Sequence, residues 1–291
     1  METSELLKKV RSIEIKTRGL SNQIFSGNYH SAFKGRGMSF SEVREYSYGD
    51  DVRNIDWNVT ARLNMPFVKV FEEERELTVM LLIDVSKSSY FGSKLKNKNE
   101  LMTEIAAVLA FSATKNNDKV GVLFFSDKIE KFIPPKKGKS HILRIIRELL
   151  NIEPTSNGTN VAMALKYFNN VNKKRSIAFV LSDFMCPDYK DALTIAQKRH
   201  DIIGLHIHDD IEENIPDVGL VQIKDAETNK LIWINTSNTE LRKKIKVGFL
   251  KHVDENRATF IKSGAEYRSL STTDNYIQIL MNLFAQRGTR K

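Results

Sequence analysis

Four short, almost unbroken apolar runs constrain the fold of this chain more than any other feature. They are Leu77-Thr-Val-Met-Leu-Leu-Ile83, Val120-Gly-Val-Leu-Phe-Phe125, Ser176-Ile-Ala-Phe-Val-Leu181 and Ile202-Ile-Gly-Leu-His-Ile207. A strand with one wet face alternates polar and apolar residues. A strand covered on both faces does not, and such strands belong to parallel sheets. The segments between the runs have helical period. Asn99 to Lys115 places Leu101, Ile105, Val108 and Leu109 on one face. Ser140 is in position to cap a helix over 141–150, Asn160 one over 161–171, and Asp188 one ending at Arg199. A short strand, Ile129–Ile133, is expected to end at Pro134-Pro135. After a long basic helix over 239–263, strand Glu266–Leu270 and a helix from Asp274 to Gln286, stopped by Gly288, complete the chain. Alternating strands and helices predict an α/β fold with a doubly wound, mostly parallel sheet.

Two stretches fall outside this alternation. Residues 27–76 are rich in Gly and Arg and carry short alternating segments such as Phe67-Val-Lys-Val-Phe71. Residues 216–236 hold two strand-like runs, Gly219–Lys224 and Leu231–Thr236, around a polar turn, which reads as a β-hairpin. Their shared texture predicts one small β-rich subdomain made of 27–76 and 216–236. The α/β domain then comprises 77–215 and 237–288, and 1–26 form an N-terminal helix.

Composition narrows the classes further. One cysteine, Cys186, excludes an intrachain disulfide and a multi-cysteine zinc site. No apolar run approaches the roughly 18–20 residues that cross a bilayer. The start, Met1-Glu-Thr-Ser-Glu5, is too acidic and polar for a signal peptide, so a cytoplasmic location is expected. With 45 Lys+Arg against 36 Asp+Glu, the net charge of +9 raises nucleic acid or an anionic membrane as binding classes, and the same field would steer an acidic partner protein.

Ligands of open α/β sheets bind beyond the carboxyl ends of the strands, at the point where strand order reverses. The first buried strand is followed by Asp84-Val-Ser86-Lys-Ser88, the third by Ser182-Asp183, and Asn157-Gly158-Thr159 opens the helix before the third. Setting Ser182 aside as a strand-end residue, these loops offer two carboxylates, Asp84 and Asp183, and three hydroxyls, Ser86, Ser88 and Thr159. An all-oxygen donor set suits a hard cation, Mg²⁺ or Mn²⁺. Two carboxylates roughly neutralise a divalent ion, and if one acts through water the ion keeps positive character and an exchangeable position for a partner's Asp or Glu.

These residues resemble the metal-ion-dependent adhesion site of von Willebrand factor A domains. The N-terminal half carries a more specific likeness. Gly27-Asn-Tyr-His-Ser31, Lys34-Gly-Arg-Gly-Met38, Phe40-Ser-Glu-Val-Arg-Glu-Tyr46, Gly49-Asp-Asp-Val-Arg-Asn-Ile-Asp-Trp57, Thr60-Ala-Arg62 and Phe71-Glu-Glu-Glu74 resemble the bacterial family DUF58, a von Willebrand A-like group. The resemblance implies the A-domain sheet, with Asp84, Ser86, Ser88, Thr159 and Asp183 as metal ligands. It also implies a non-enzymatic protein-interaction module partnering a MoxR-type AAA+ ATPase in protein assembly or chaperone-like work. The chain departs from the pattern at Lys87, where Gly is common, and at Asn160, where Asp is common.

Other readings stand beside this one. A nucleic-acid-binding module would use the basic segments 136–139, 173–175, 242–246 and 287–291, although no aromatics interleave them. A metal-dependent hydrolase would use Ser86 or Ser88, for which the sequence nominates no activating base. Gly138-Lys-Ser140 lacks the glycine a phosphate loop needs, since Ile133 stands there. His206, His208 and Asp209 form a second possible chelate. Asp50, Asp51 and Asp56 cluster with Arg44, Arg53 and Arg62 around Trp57, which reads as an interaction surface or, since charges so evenly matched usually pair locally, as a buried or semi-buried ion-pair and turn network holding the small subdomain to the sheet.

Overall fold

The computed structural model describes residues 38–73, 77–92, 97–152, 158–224 and 231–289. The chain divides into two compact units, one formed by Phe33–Leu77 and one from Thr78 onward. The expected N-terminal helix, the strings at 27–37, Asn157 and the turn at 225–230 lie outside the described residues.

In the smaller unit, β1 (Met38–Glu45) pairs antiparallel with β2 (Phe67–Glu73), with a register shift between Phe40 and Glu42. Between them runs α1 (Trp57–Leu63), capped by Asp56, whose side chain accepts from the amides of Asn58 and Val59. Asn64, at φ +54, ends the helix in the left-handed conformation that Asn tolerates. Two of the expected pairs form, but at the surface and not buried, and Asp56 pairs with Lys69 at 3.5 Å. Arg44 grips Asp50 with two bonds of 2.8 and 2.6 Å, and Arg53 folds back on Asp51 at 2.8 Å. Trp57, at the centre of this sequence cluster, is 70% exposed.

The larger unit holds a six-stranded sheet in the order β10-β7-β6-β3-β4-β5. Its strands are β3 (Thr78–Asp84), β4 (Lys119–Phe125), β5 (Ile129–Lys136), β6 (Ile177–Ser182), β7 (Asp201–His208) and β10 (Glu266–Ser271). Neighbouring strands run parallel except β4 and β5. The chain leaves β3 toward β4 and β5, then returns to the other side for β6, β7 and β10. The switch point therefore falls between β3 and β6, where Asp84 and Asp183 emerge.

The apolar runs are covered as their composition demands: β6 is buried throughout, and β3 and β4 in all but the first residue. The helices are α2 (Lys98–Lys115), α3 (Lys139–Asn151), α4 (Val161–Val171), α5 (Lys190–Arg199), α6 (Asp210–Glu213), α7 (Thr239–Lys262) and α8 (Tyr276–Thr289). Helix α2 differs from the expected one-faced helix. Every residue from Ile105 to Ala113 is buried, because that stretch is apolar or small all round. At Gly204 a Cβ would lie 2.5 Å from the Phe260 ring, so only glycine lets α7 seat that ring on β7.

Several boundaries move for physical reasons. β5 continues through Pro134-Pro135 to Lys136 because it is the edge strand, where missing donors cost little. α3 begins at Lys139 behind Gly138, whose φ of +100 favours glycine, so Ser140 lies inside the helix and is not its cap. α2 begins one residue early, at Lys98, under a capping box of Asn97 and Glu100. α8 runs through Gly288 to Thr289.

The hairpin of β8 (Leu220–Lys224) and β9 (Leu231–Asn235) forms a separate two-stranded sheet. The expected subdomain joined it to 27–76. The structure groups it with the larger unit, and β1 and β2 form a two-stranded sheet of their own.

Candidate metal centre

Asp84 ends β3 and is 1% exposed. Past it the chain turns so tightly that the Ser86 amide donates back to Asp84 Oδ1 at 2.9 Å. Ser86 and Ser88 bring their hydroxyls to 3.0 Å of each other, and the 3-10 turn Lys87–Tyr90 follows. Thr159, just ahead of α4, donates to Asp84 Oδ2 at 3.2 Å. From the adjacent strand, Ser182 donates to the same oxygen at 2.6 Å. Asp183 follows Ser182 and is 3% exposed, and the Ser88 hydroxyl is among the groups that favour its ionised form. Residues that are distant in sequence thus meet at the switch point: Asp84, Ser86, Ser88 and Thr159 share one hydrogen-bonded cluster, and Asp183 lies near enough for its charge to act on Asp84.

The turn after Asp183 is unusual. Phe184 is fully buried with φ +51, a conformation that bulky side chains rarely adopt. Its ring packs against Tyr189, Phe260 and Tyr267, with centroids 5.7, 5.3 and 6.1 Å away. This packing holds the turn, and the Met185 amide then donates to Asp183 Oδ1 at 3.1 Å. Aromatic packing therefore fixes the direction of a carboxylate.

Sequence reasoning missed three partners. Ser182, set aside as a strand-end residue, makes the shortest hydrogen bond to Asp84. Lys98, at the first position of α2, is 0% exposed. Its Nζ donates to Asp183 Oδ2 at 2.9 Å and to Glu212 Oε1, on α6, at 2.8 Å. One signal was available. A lysine in the first turn of a helix opposes the helix dipole and needs a compensating anion.

The two aspartates have opposite electrostatics. Burial pushes Asp84 up to about 6, the charge of Asp183 adds to this, and the Ser182 and Ser86 hydrogen bonds offset only part. Burial also acts against ionised Asp183, but the Lys98 ammonium outweighs it and holds Asp183 below the usual carboxylate range. Lys98 is pulled down by burial and raised, on balance, by Asp183 and Glu212.

The donor set fits a hard divalent cation. All five side chains offer oxygen, and Asp84 is a buried carboxylate whose described partners are hydroxyls and an amide. Among the described residues no three His, Cys, Asp or Glu side chains converge on a metal position, so such a site relies on its hydroxyls. The alternative chelate does not form. His206 and His208 stack 5.1 Å apart and share the Ser269 hydroxyl. Asp209 instead caps α6 and accepts from Thr272 at 2.7 Å.

Comparison with known proteins agrees with this architecture. The family described as "Protein of unknown function DUF58" matches residues 42–255. The uncharacterized protein Rv1480 of Mycobacterium tuberculosis (strain ATCC 25618 / H37Rv) is 26% identical over 99% of this chain and 91% of its own length. Among solved structures, an aerotolerance-related membrane protein from Bacteroides fragilis NCTC 9343 superposes with a TM-score of 0.50 at 16% identity. That likeness covers 74% of this chain and 100% of the other. The SpRpn10 VWA domain gives a TM-score of 0.40 at 11% identity, over 72% of this chain and 95% of that one. No helix among the described residues is long and apolar enough to cross a membrane. With a doubly wound sheet and a family match over most of its length, the chain belongs to DUF58.

Proposed function

We propose that this protein is a non-enzymatic, metal-dependent protein-interaction module. Asp84, Ser86, Ser88, Thr159 and Asp183 would hold Mg²⁺ or Mn²⁺, and the partner would contribute an Asp or Glu carboxylate. The observation that carries this reading is Asp84. It is a buried carboxylate at the switch point, ringed by hydroxyls, with its ionised form disfavoured until positive charge arrives. A bound divalent ion supplies that charge and a coordination position for an incoming carboxylate.

The chain's own residues do the rest. The Ser86 amide orients Asp84, and Ser182 and Thr159 hold its second oxygen. Lys98 and the Met185 amide fix Asp183. The net charge of +9 steers an acidic partner toward this protein. The DUF58 resemblance nominates a MoxR-type AAA+ ATPase as that partner, in the cytoplasm. Isothermal titration with Mg²⁺ and with Mn²⁺ is expected to give a binding isotherm that Asp84→Ala abolishes. Equal binding by wild type and variant would remove the site assignment, and partner capture indifferent to EDTA would remove the metal from the interaction.

A further inference from the structure

Lys98 has no place in the ligand set, yet it is a fully buried charge beside it. Lysine is almost never fully buried unless paired. Here the ammonium sits between Asp183 Oδ2 at 2.9 Å and Glu212 Oε1 at 2.8 Å. Both acceptors are held from behind. Asp183 Oδ1 takes the Met185 amide, and Glu212 Oε2 takes the Asp209 amide at 2.9 Å through the α6 capping box. The ammonium thus rests in a fixed cradle made from the turn after β6 and the short helix α6 that follows β7. Asp84, on the neighbouring strand, shows only hydroxyl and amide partners among its described contacts.

We infer that Lys98 is a resident cation of the metal centre: its ammonium competes with a divalent ion for Asp183 and sets a low affinity for the metal in the free protein. This rests on the metal reading above. The physical ground is charge placement. A fixed positive charge in a dry site repels a second cation far more strongly than it would in water. Lys98 also commits Asp183 before any metal arrives, so Asp84 is the carboxylate left to meet the ion. Glu212 tunes the device from outside the ligand set by drawing part of the ammonium away from Asp183.

The test is titration of Mg²⁺ into wild type, Lys98→Met and Glu212→Gln, with melting temperatures recorded with and without Mg²⁺. Lys98→Met is expected to bind Mg²⁺ at least about tenfold more tightly than wild type. Its melting temperature should be lower than wild type without metal and should rise more on addition of Mg²⁺. Glu212→Gln, which leaves the ammonium wholly to Asp183, is expected to bind several-fold more weakly. A purely structural lysine would predict no tightening, and equal or weaker binding by Lys98→Met overturns the inference. Should Lys98→Met fail to fold, Glu212→Gln decides, and equal or tighter binding there overturns it. A wild type that takes no Mg²⁺ counts against the metal reading alone. In that case, binding gained by Lys98→Met and lost again with Asp84→Ala supports the resident cation, and its absence overturns it.

Discussion

Asp84 and Asp183 leave adjacent parallel strands at the same edge of the sheet and are equally hidden from water, yet they carry opposite electrostatic histories. Asp84 meets hydroxyls and an amide, and burial makes its charge costly. Asp183 meets an ammonium, which makes its charge favourable. The sheet supplies nearly equivalent positions. What separates the two residues is a single side chain from the first turn of α2. In such a site the strands set where carboxylates stand, and a helix packed across them sets which one is already neutralised.

The sharpest way to break the contrast is to remove the ammonium. Without metal, Lys98→Met leaves Asp183 and Glu212 as buried or half-buried anions with no counter-charge. Breaking a buried pair from one side costs about 3–5 kcal/mol, so guanidinium unfolding in EDTA should show a loss of that order. A loss near zero would mean that the carboxylates relax to water and that the pair does little for the fold.

The next largest effect has the opposite sign and comes from the other carboxylate. Folding raises Asp84 from 3.8 to about 6, so between those values the native state binds more proton than the unfolded chain. The contribution is present below pH 3.8 and is lost as pH rises through about 6. Metal-free Asp84→Asn escapes this loss and should be more stable than wild type by about 2–3 kcal/mol at neutral pH. Its stability between pH 4 and 7 should also be flatter than that of wild type. Protons and divalent ions then compete at Asp84, so metal binding by wild type should weaken below about pH 6. An Asp84→Asn profile parallel to wild type would locate the proton elsewhere.

A smaller effect separates the two hydroxyls on Asp84. Ser182 donates at 2.6 Å and Thr159 at 3.2 Å to the same oxygen. Loss of a hydrogen bond to a charged, buried group costs about 1–3 kcal/mol. Ser182→Ala should therefore fall in that range and Thr159→Val below it, with midpoints measured above pH 7. Metal affinity should reverse the order, because Thr159 belongs to the proposed ligand set and Ser182 does not.

Much of this contrast was legible before the structure, and the missing part has a physical reason. Asp84, Ser86, Ser88, Thr159 and Asp183 follow strand ends or open a helix, and period and topology alone bring strand ends together. The four apolar runs gave β3, β4, β6 and β7 for the same reason: burial on both faces writes itself into composition. Lys98 left only the trace of a cation in a helix's first turn, which does not name its partners, 85 and 114 residues away in the chain. Ser182 was hidden because a strand covered on both faces lacks alternation, so its composition does not say whether its last residue points at a core or at a site. The α3 start was misplaced because Ser140 is the better cap by type, whereas the backbone at Gly138 decided the turn.

The smallest expected effect tests whether burial, and not ion pairing as such, makes Lys98 matter. Arg53 and Asp51 in the smaller unit make a pair as short as the Lys98 contacts, 2.8 Å, but the arginine side chain is 86% exposed and the aspartate 42%. Water screens both partners and solvates whichever one remains, so removing either leaves no stranded charge. Asp51 also keeps a local task, since it accepts from the Arg53 amide to start the 3-10 turn Val52–Asn54, and Arg53→Ala retains that amide. Arg53→Ala should accordingly leave the guanidinium midpoint within the scatter of replicate measurements, with metal binding unchanged. A shift comparable to that of Ser182→Ala would show that geometry alone gives an ion pair its weight here, and the distinction drawn between the two aspartates would then need a cause other than their burial.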